Sequence, residues 1–306
     1  MSRKRKGDPV HGWVILDKPV GTTSTRAVAQ VKRLFNAQKA GHAGTLDPLA
    51  SGMLPIALGE ATKVSSFVMD GTKIYRFTVQ WGEQTDTDDR EGRCVETSQE
   101  RPTTSDIEAM LHKYTGSIVQ VPPRYSAIKV EGERAYDLAR SGEDVELSAR
   151  QIEISRLELV DSPDRDHAVF EAECGKGTYV RALARDFGRD LGCFGHVSAL
   201  RRTRVGGFCE DDMISLDKLE RLSHIAAGLE PIEHFLRPVE TALDDIPALA
   251  VSSADAARMK QGQPVIMRGR DAPILHGTVY VESHGHPVAL AEVKQGALHP
   301  RRVFNI

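Results

Sequence analysis

No apolar run in this chain of 306 residues is long enough to cross a membrane. The basic stretch Ser2-Arg3-Lys4-Arg5-Lys6 leads into a segment interrupted by His11, Asp17 and Lys18, which does not suit a secretory signal. The four cysteines, Cys94, Cys174, Cys193 and Cys209, are far apart and form no CxxC pair. That spacing argues against a disulfide framework or a zinc site and points to reduced thiols in a cytoplasmic protein. His284-x-His286 is the nearest approach to paired metal ligands, but Gly285 and Pro287 make it a hairpin tip. A charge excess is missing too: 40 Lys and Arg against 43 Asp and Glu leave −3. Any polyanion site must therefore come from local clusters. P-loop, Rossmann fingerprint, HExxH and Gly-x-Ser-x-Gly elbow are all absent, so the expected chemistry uses neither cofactor nor metal.

The 40% hydrophobic and 27% charged fractions are those of an ordinary globular protein with a sizeable core. Residues 1–9 read as a solvated basic tail. Gly12 to Leu16 is a short apolar strand, and Ser24 is placed to cap a helix carrying Val28, Val31 and Phe35. Lys73 to Trp81 alternates cleanly, with Tyr75, Phe77, Val79 and Trp81 on one face. The acidic run from Gly82 to Gly92 fails the calcium-loop pattern because Arg90 takes a ligand position, leaving a solvated hairpin. Ser105-x-x-Glu108 predicts a capping box. After Val121-Pro122-Pro123, residues 124–150 form a charged excursion with one short helical piece near Arg134–Arg140. Ile152–Val160 and Ala168–Cys174 alternate as strands, and Thr178–Leu191 is an amphipathic helix. The order predicts an α+β fold with a mixed, largely antiparallel sheet flanked by helices. A boundary near 245 separates residues 10–245 from a β-rich module, 246–306, large enough to be autonomous.

Polar groups converge at a few element ends. Gly41-His42-Ala43-Gly44-Thr45-Leu46-Asp47-Pro48 places one carboxylate between a glycine-rich approach and a proline that biases Asp47 away from helix. Such an acid is a nucleophile presented from a loop, or a turn residue. Tyr75 heads an apolar strand face, where an aromatic stacks on a base or packs in the core. Arg181, Arg185 and Arg189 share a helical face. They form a solvated stripe, or supply through Arg181 a charge partner for a buried carboxylate. Arg201, Arg202 and Arg204 make a phosphate clamp or a surface turn.

Taken in order, several segments resemble the bacterial tRNA pseudouridine(55) synthases, the TruB family. They are Gly12–Ser24, Gly41–Gly52, Lys73–Phe77, Pro122–Tyr136, Lys176–Arg181 and Leu200–Gly206. The resemblance spans roughly residues 10–215 and continues more weakly to the end. It implies an isomerase acting on uridine 55 in the T loop of tRNA, without cofactor or metal. In that reading Asp47 is the catalytic aspartate, Tyr75 stacks on a flipped-out base, and Arg181 pairs with Asp47. His42, Tyr179, Leu200 and Lys18 bind substrate, residues 124–150 close over the RNA, and 246–306 are a PUA-like RNA-binding domain. It also implies a cytoplasmic monomer with no membrane association and no obligate protein partner. The rival reading is an RNA-binding or folding factor, for which a carboxylate in the cleft would be superfluous.

Overall fold

The computed structural model describes residues 6–126, 128–130, 133–134, 147–224, 232–267 and 276–306. The start of the basic tail and the larger part of the 124–150 excursion lie outside the described residues.

The strands run β1 (Gly12–Lys18), β2 (Ala40–His42), β3 (Ser51–Leu58), β4 (Lys73–Trp81), β5 (Glu83–Thr85) and β6 (Cys94–Thr97). Next come β7 (Gly116–Gln120), β8 (Lys129–Val130), β9 (Glu133–Arg134), β10 (Arg150–Asp164), β11 (His167–Cys174), β12 (Gly195–Val205) and β13 (Ile214–Ser215). The last five are β14 (Ala248–Ala250), β15 (Val265–Ile266), β16 (Gly277–Ser283), β17 (His286–Lys294) and β18 (Ala297–Val303). A large sheet has the order β13-β1-β3-β12-β4-β11-β10-β7, with β2 beside β3. Its pairings are antiparallel except β1 with β13 and β3 with β12, as the mixed, largely antiparallel expectation required.

Alternation in β4 turns Phe77 inward, where it stacks on Phe170 of β11 at 5.4 Å between centroids. Phe187, from the helix Val180–Asp190, closes on Phe170 at 5.3 Å and on Phe77 at 6.4 Å. This aromatic cluster clamps the helix to one face of the sheet, so the helix N-terminus is held beside the start of β4.

The two halves of the sheet are joined narrowly. Strand β12 meets β3 at Arg201↔Ser51 and Arg202↔Gly52. Gly52 has φ +98°, and a Cβ there would lie 2.3 Å from the Arg202 carbonyl oxygen. Glycine is thus required where the strands approach. Beyond that point the chain from Ala43 to Ala50 leaves the sheet and opens a cleft.

Several sequence expectations shift in detail. The first helix, Ser24–Leu34, is capped by Thr23, whose hydroxyl accepts from the Arg26 N–H at 3.2 Å. Ser24 is instead buried against the Asp47 loop. The capping box is Thr103 with Asp106, two residues upstream of the expected pair. Both corrections follow from the hydroxyl having to sit one residue before the first helical turn.

The C-terminal strands form a second sheet, β14-β16-β17-β18-β15, around Met259, Val279, Val281 and Leu298. His284 and Gly285 make the turn between β16 and β17, as their residue types predicted. The module also shares a cluster with the large sheet: Tyr280, Leu290 and Phe304 pack with Trp13, Val64, Val239 and Leu243. The module thus has a core of its own and, through Tyr280, Leu290 and Phe304, a second apolar contact with the rest of the chain.

Candidate active site

Asp47 follows a loop held by three buried side chains from outside it. Ser24 Oγ donates to the Leu46 carbonyl at 2.8 Å and accepts the Leu46 N–H at 2.9 Å. Arg202, 1% exposed, donates to the carbonyls of Met53 at 2.8 Å, Gly44 at 3.1 Å and Thr45 at 3.3 Å. Lys18 sits with no exposed surface and donates to the carbonyls of Pro19, Thr22 and Pro48 at 2.9, 2.8 and 3.4 Å. Burial pushes its ammonium down to about 8, against the opposing pull of Asp47. Carbonyls turned toward these cations leave the Asp47 carboxylate facing the cleft.

The cleft encloses about 360 Å³. Asp47, Tyr75, Tyr179, Arg181 and Leu200 line it, joined by Lys73 and Arg202. Arg181 Nε lies 2.9 Å from Asp47 Oδ2. Its other nitrogens reach Asp89 Oδ2 at 3.5 Å and the carbonyls of Thr87 and Tyr125 at 3.0 and 2.9 Å. The Arg181 side chain is 7% exposed, whereas that of Asp47 keeps 35%. The guanidinium is therefore enclosed by acceptors, and the carboxylate it pairs with remains accessible.

Each wall has a local cause. The amide of Gln120 brackets Tyr179, accepting its N–H at 2.9 Å and donating to its carbonyl at 3.1 Å, which fixes the residue before the helix. The Arg202 guanidinium carbon stands 6.0 Å from the centre of the Tyr75 ring. Burial raises the Tyr75 phenol above its ordinary pKa, with Arg202 opposing. Lys73 is buried and donates to the carbonyls of Met69 and Gly71. Desolvation takes it down to about 8.

Five of the seven residues expected from the sequence thus meet in one cleft. His42 lies on β2, paired with Ile56, and is not among the cleft's lining residues. Lys18 is not among them either; it braces the chain behind Asp47. The acidic hairpin departs from expectation. Asp88 and Asp89 are buried, because they face Arg185 and Arg181 across the Val180–Asp190 helix. The arginine stripe is consequently an anchoring face: Arg185 pairs with Asp88 at 3.1 Å and Asp186 at 2.8 Å, and Arg189 donates to Gln84 at 3.0 Å. Arg201, Arg202 and Arg204 lie along β12 in the sheet and not on a surface turn. Sequence reasoning missed the bracing role of Arg202 and the burial of Asp89. No local pattern marked either one, because their partners are backbone carbonyls and a guanidinium distant in sequence.

Three family models match the chain. They are the TruB family pseudouridylate synthase N-terminal domain over residues 32–180, the tRNA pseudouridylate synthase B C-terminal domain over 181–244, and the pseudouridine synthase II TruB C-terminal domain over 247–304. A protein named tRNA pseudouridine synthase B from Bradyrhizobium diazoefficiens is 66% identical over 99% of this chain and 88% of its own length. One of the same name from Agrobacterium fabrum is 58% identical over 99% and 97%. Among solved structures, a Cbf5-Nop10-Gar1 complex contains a chain 27% identical, with a TM-score of 0.75 over 96% of this chain and 84% of that one. With matching models along its length and full-length relatives at such identity, the chain belongs to the TruB family of pseudouridylate synthases.

Proposed function

We propose that this chain isomerises a uridine of tRNA to pseudouridine, at position 55 of the T loop, with Asp47 acting at the ribose–base junction. The observation that carries this reading is the 2.9 Å pair between Arg181 and the partly exposed Asp47 inside a cleft of nucleotide size. The reaction breaks the N1–C1′ bond and forms a C5–C1′ bond. A proton leaves C5, one is gained at N1, and no electrons are exchanged. An oriented carboxylate and a proton-carrying group suffice for that balance.

Arg181 orients the Asp47 carboxylate toward the reacting carbon and stabilises charge changes on it. Tyr75 presents its ring to the uracil, and its raised pKa keeps the phenol protonated at neutral pH, available for proton transfer. Leu200 and Tyr179 form the apolar and aromatic wall that receives a base extruded from its stack. His42 acts from the loop side, Lys18 acts through the Pro48 carbonyl it holds, and 246–306 add an RNA-binding module to the catalytic part, 10–245. The reading carries with it a monomer acting in the cytoplasm without an obligate protein partner.

The test is tritium release from C5-labelled uridine in a tRNA transcript. The wild type releases label and Asp47→Asn does not. Equal release by both removes Asp47 from the chemistry, and no release by the wild type leaves an RNA-binding protein.

A further inference from the structure

A second groove of about 270 Å³ lies on the other side of the strands that build the cleft. Its lining includes Arg76, Arg90 and Arg201 with Val20, Leu49 and Val169, and among the described residues contains no carboxylate. Leu200 lines both this groove and the cleft, so the two adjoin. The placement follows from strand geometry. Tyr75 faces the cleft, so Arg76 must face away; Arg202 faces the cleft, so Arg201 must face away.

Arg76 and Arg201 are directly paired across β4 and β12. Like charges in that position destabilise a sheet unless something neutralises them. Arg201 is neutralised by Asp17 at 2.9 Å and Glu210 at 3.2 Å. Arg76 faces Glu171 on its other side, but that carboxylate is held by Arg156 at 2.6 Å. Arg76 and Arg90 are both exposed, and neither forms an ion pair among the described residues. The groove thus holds two guanidinium groups without a carboxylate partner among the described residues, beside an apolar surface that includes the exposed Val20. Guanidinium forks over apolar carbon suit a phosphodiester with its ribose and base edge.

Each segment of the groove also adjoins the cleft. Arg76 follows Tyr75, Arg90 follows the Arg181 partner Asp89, and Leu49 lies two residues past Asp47. The turn bearing Val20 is bonded to the same loop, Gly21 N–H to Pro48 carbonyl, at 2.7 Å. We infer that this groove is a second nucleotide subsite, in which Arg76 and Arg90 bind a phosphodiester of the same RNA whose target base enters the cleft. The inference rests on the isomerase reading for the identity of the RNA. Occupancy of the groove holds the strand against the back of the Asp47 loop while the base is extruded.

The experiment uses the full chain with Arg76→Ala and Arg90→Ala combined, leaving Arg201 in place because it also holds Asp17. Equilibrium binding of a tRNA transcript is measured across a series of KCl concentrations, alongside single-turnover tritium release at saturating enzyme. The subsite requires Kd to rise about tenfold at low salt. The slope of log K against log salt shrinks by about 0.7 for each phosphate that the variant no longer neutralises. The saturating rate stays within about twofold, and the Lys–Lys double variant recovers most of the affinity. Unchanged Kd and slope overturn the proposal, as does a slower rate at unchanged Kd, which would make the arginines structural props. Failure of the isomerase reading has its own signature, a wild type that binds tRNA but releases no tritium.

Discussion

Arg181 holds Asp47 through Nε at 2.9 Å while a terminal nitrogen of the same guanidinium lies 3.5 Å from Asp89. One planar fork therefore ties the Asp47 loop, the acidic hairpin and the N-terminus of the Val180–Asp190 helix into a single geometry. Two carboxylates beside one cation would otherwise repel, and the carbonyls of Thr87 and Tyr125 complete the enclosure. The position of Asp47 is thus set by residues some 40 and 130 places away in sequence.

The first prediction concerns shape at constant charge. Arg181→Lys keeps the cation but supplies a point donor where four acceptors are arranged around a fork. Single-turnover tritium release is expected to fall by about 10²–10³-fold, while tRNA affinity changes by less than about threefold. Stopped reactions at saturating enzyme, with parallel filter binding, measure both. A matched loss in affinity and no loss in rate would move Arg181 from orienting Asp47 to holding RNA.

Asp88 gives a pH prediction. Burial raises its carboxyl from the ordinary 3.8 to about 6, with Arg185, Arg181 and Arg189 pulling the other way. Because the folded value lies above the unfolded one, its favourable contribution is complete below about pH 4 and is lost as pH rises through about 6. The stability of Asp88→Asn relative to wild type should therefore increase between pH 4 and 7, by on the order of 3 kcal/mol at most. Denaturant midpoints across that range read the difference. Parallel pH curves for the two proteins would show that the Asp88 carboxyl does not titrate there.

The C-terminal module yields a prediction about cooperativity. Phe304 is fully buried between the two sheets with Trp13, Tyr280 and Leu290. Phe304→Ala should cost about 3–5 kcal/mol through reduced burial and the cavity left behind. Calorimetry should show one transition for the whole chain, since the module and the large sheet share this cluster. Deleting residues 248–306 should lower the midpoint of what remains and expose Trp13, one of two tryptophans, to solvent-induced red shift of its fluorescence. A truncated chain with an unchanged midpoint would show the shared cluster to be dispensable.

What the sequence revealed followed periodicity. Strand β4 and the helix bearing Arg181 were legible from apolar spacing alone, because each has one face in the core. The pairing of Arg181 with Asp47 was legible from family resemblance and not from spacing, since nothing local links residues 134 positions apart. The roles of Ser24, Arg202 and Asp89 stayed hidden for one physical reason. Their partners are loop carbonyls, a loop N–H or a distant guanidinium, and such groups carry no sequence signal. Acidic residues of the 82–92 hairpin looked solvated because charge alone does not say whether a partner waits across the fold. The Arg181 and Arg185 side chains are that partner.

Lys18 decides between two roles that sequence could not separate. Its ammonium is buried beneath the Asp47 loop and donates to the Pro19, Thr22 and Pro48 carbonyls. Lys18→Met keeps the volume and removes those donors, leaving acceptors without partners. Stability should fall by about 2–3 kcal/mol. The single-turnover rate should drop about tenfold as the Asp47 carboxylate loses its alignment, since small misplacements of a reacting group are costly. Affinity for tRNA should hold within about twofold, because the side chain acts through the loop. Chemical denaturation, tritium release and filter binding on the same preparation separate the outcomes. Weaker tRNA binding with an unchanged saturating rate would instead make Lys18 a direct RNA contact, reached when the loop opens.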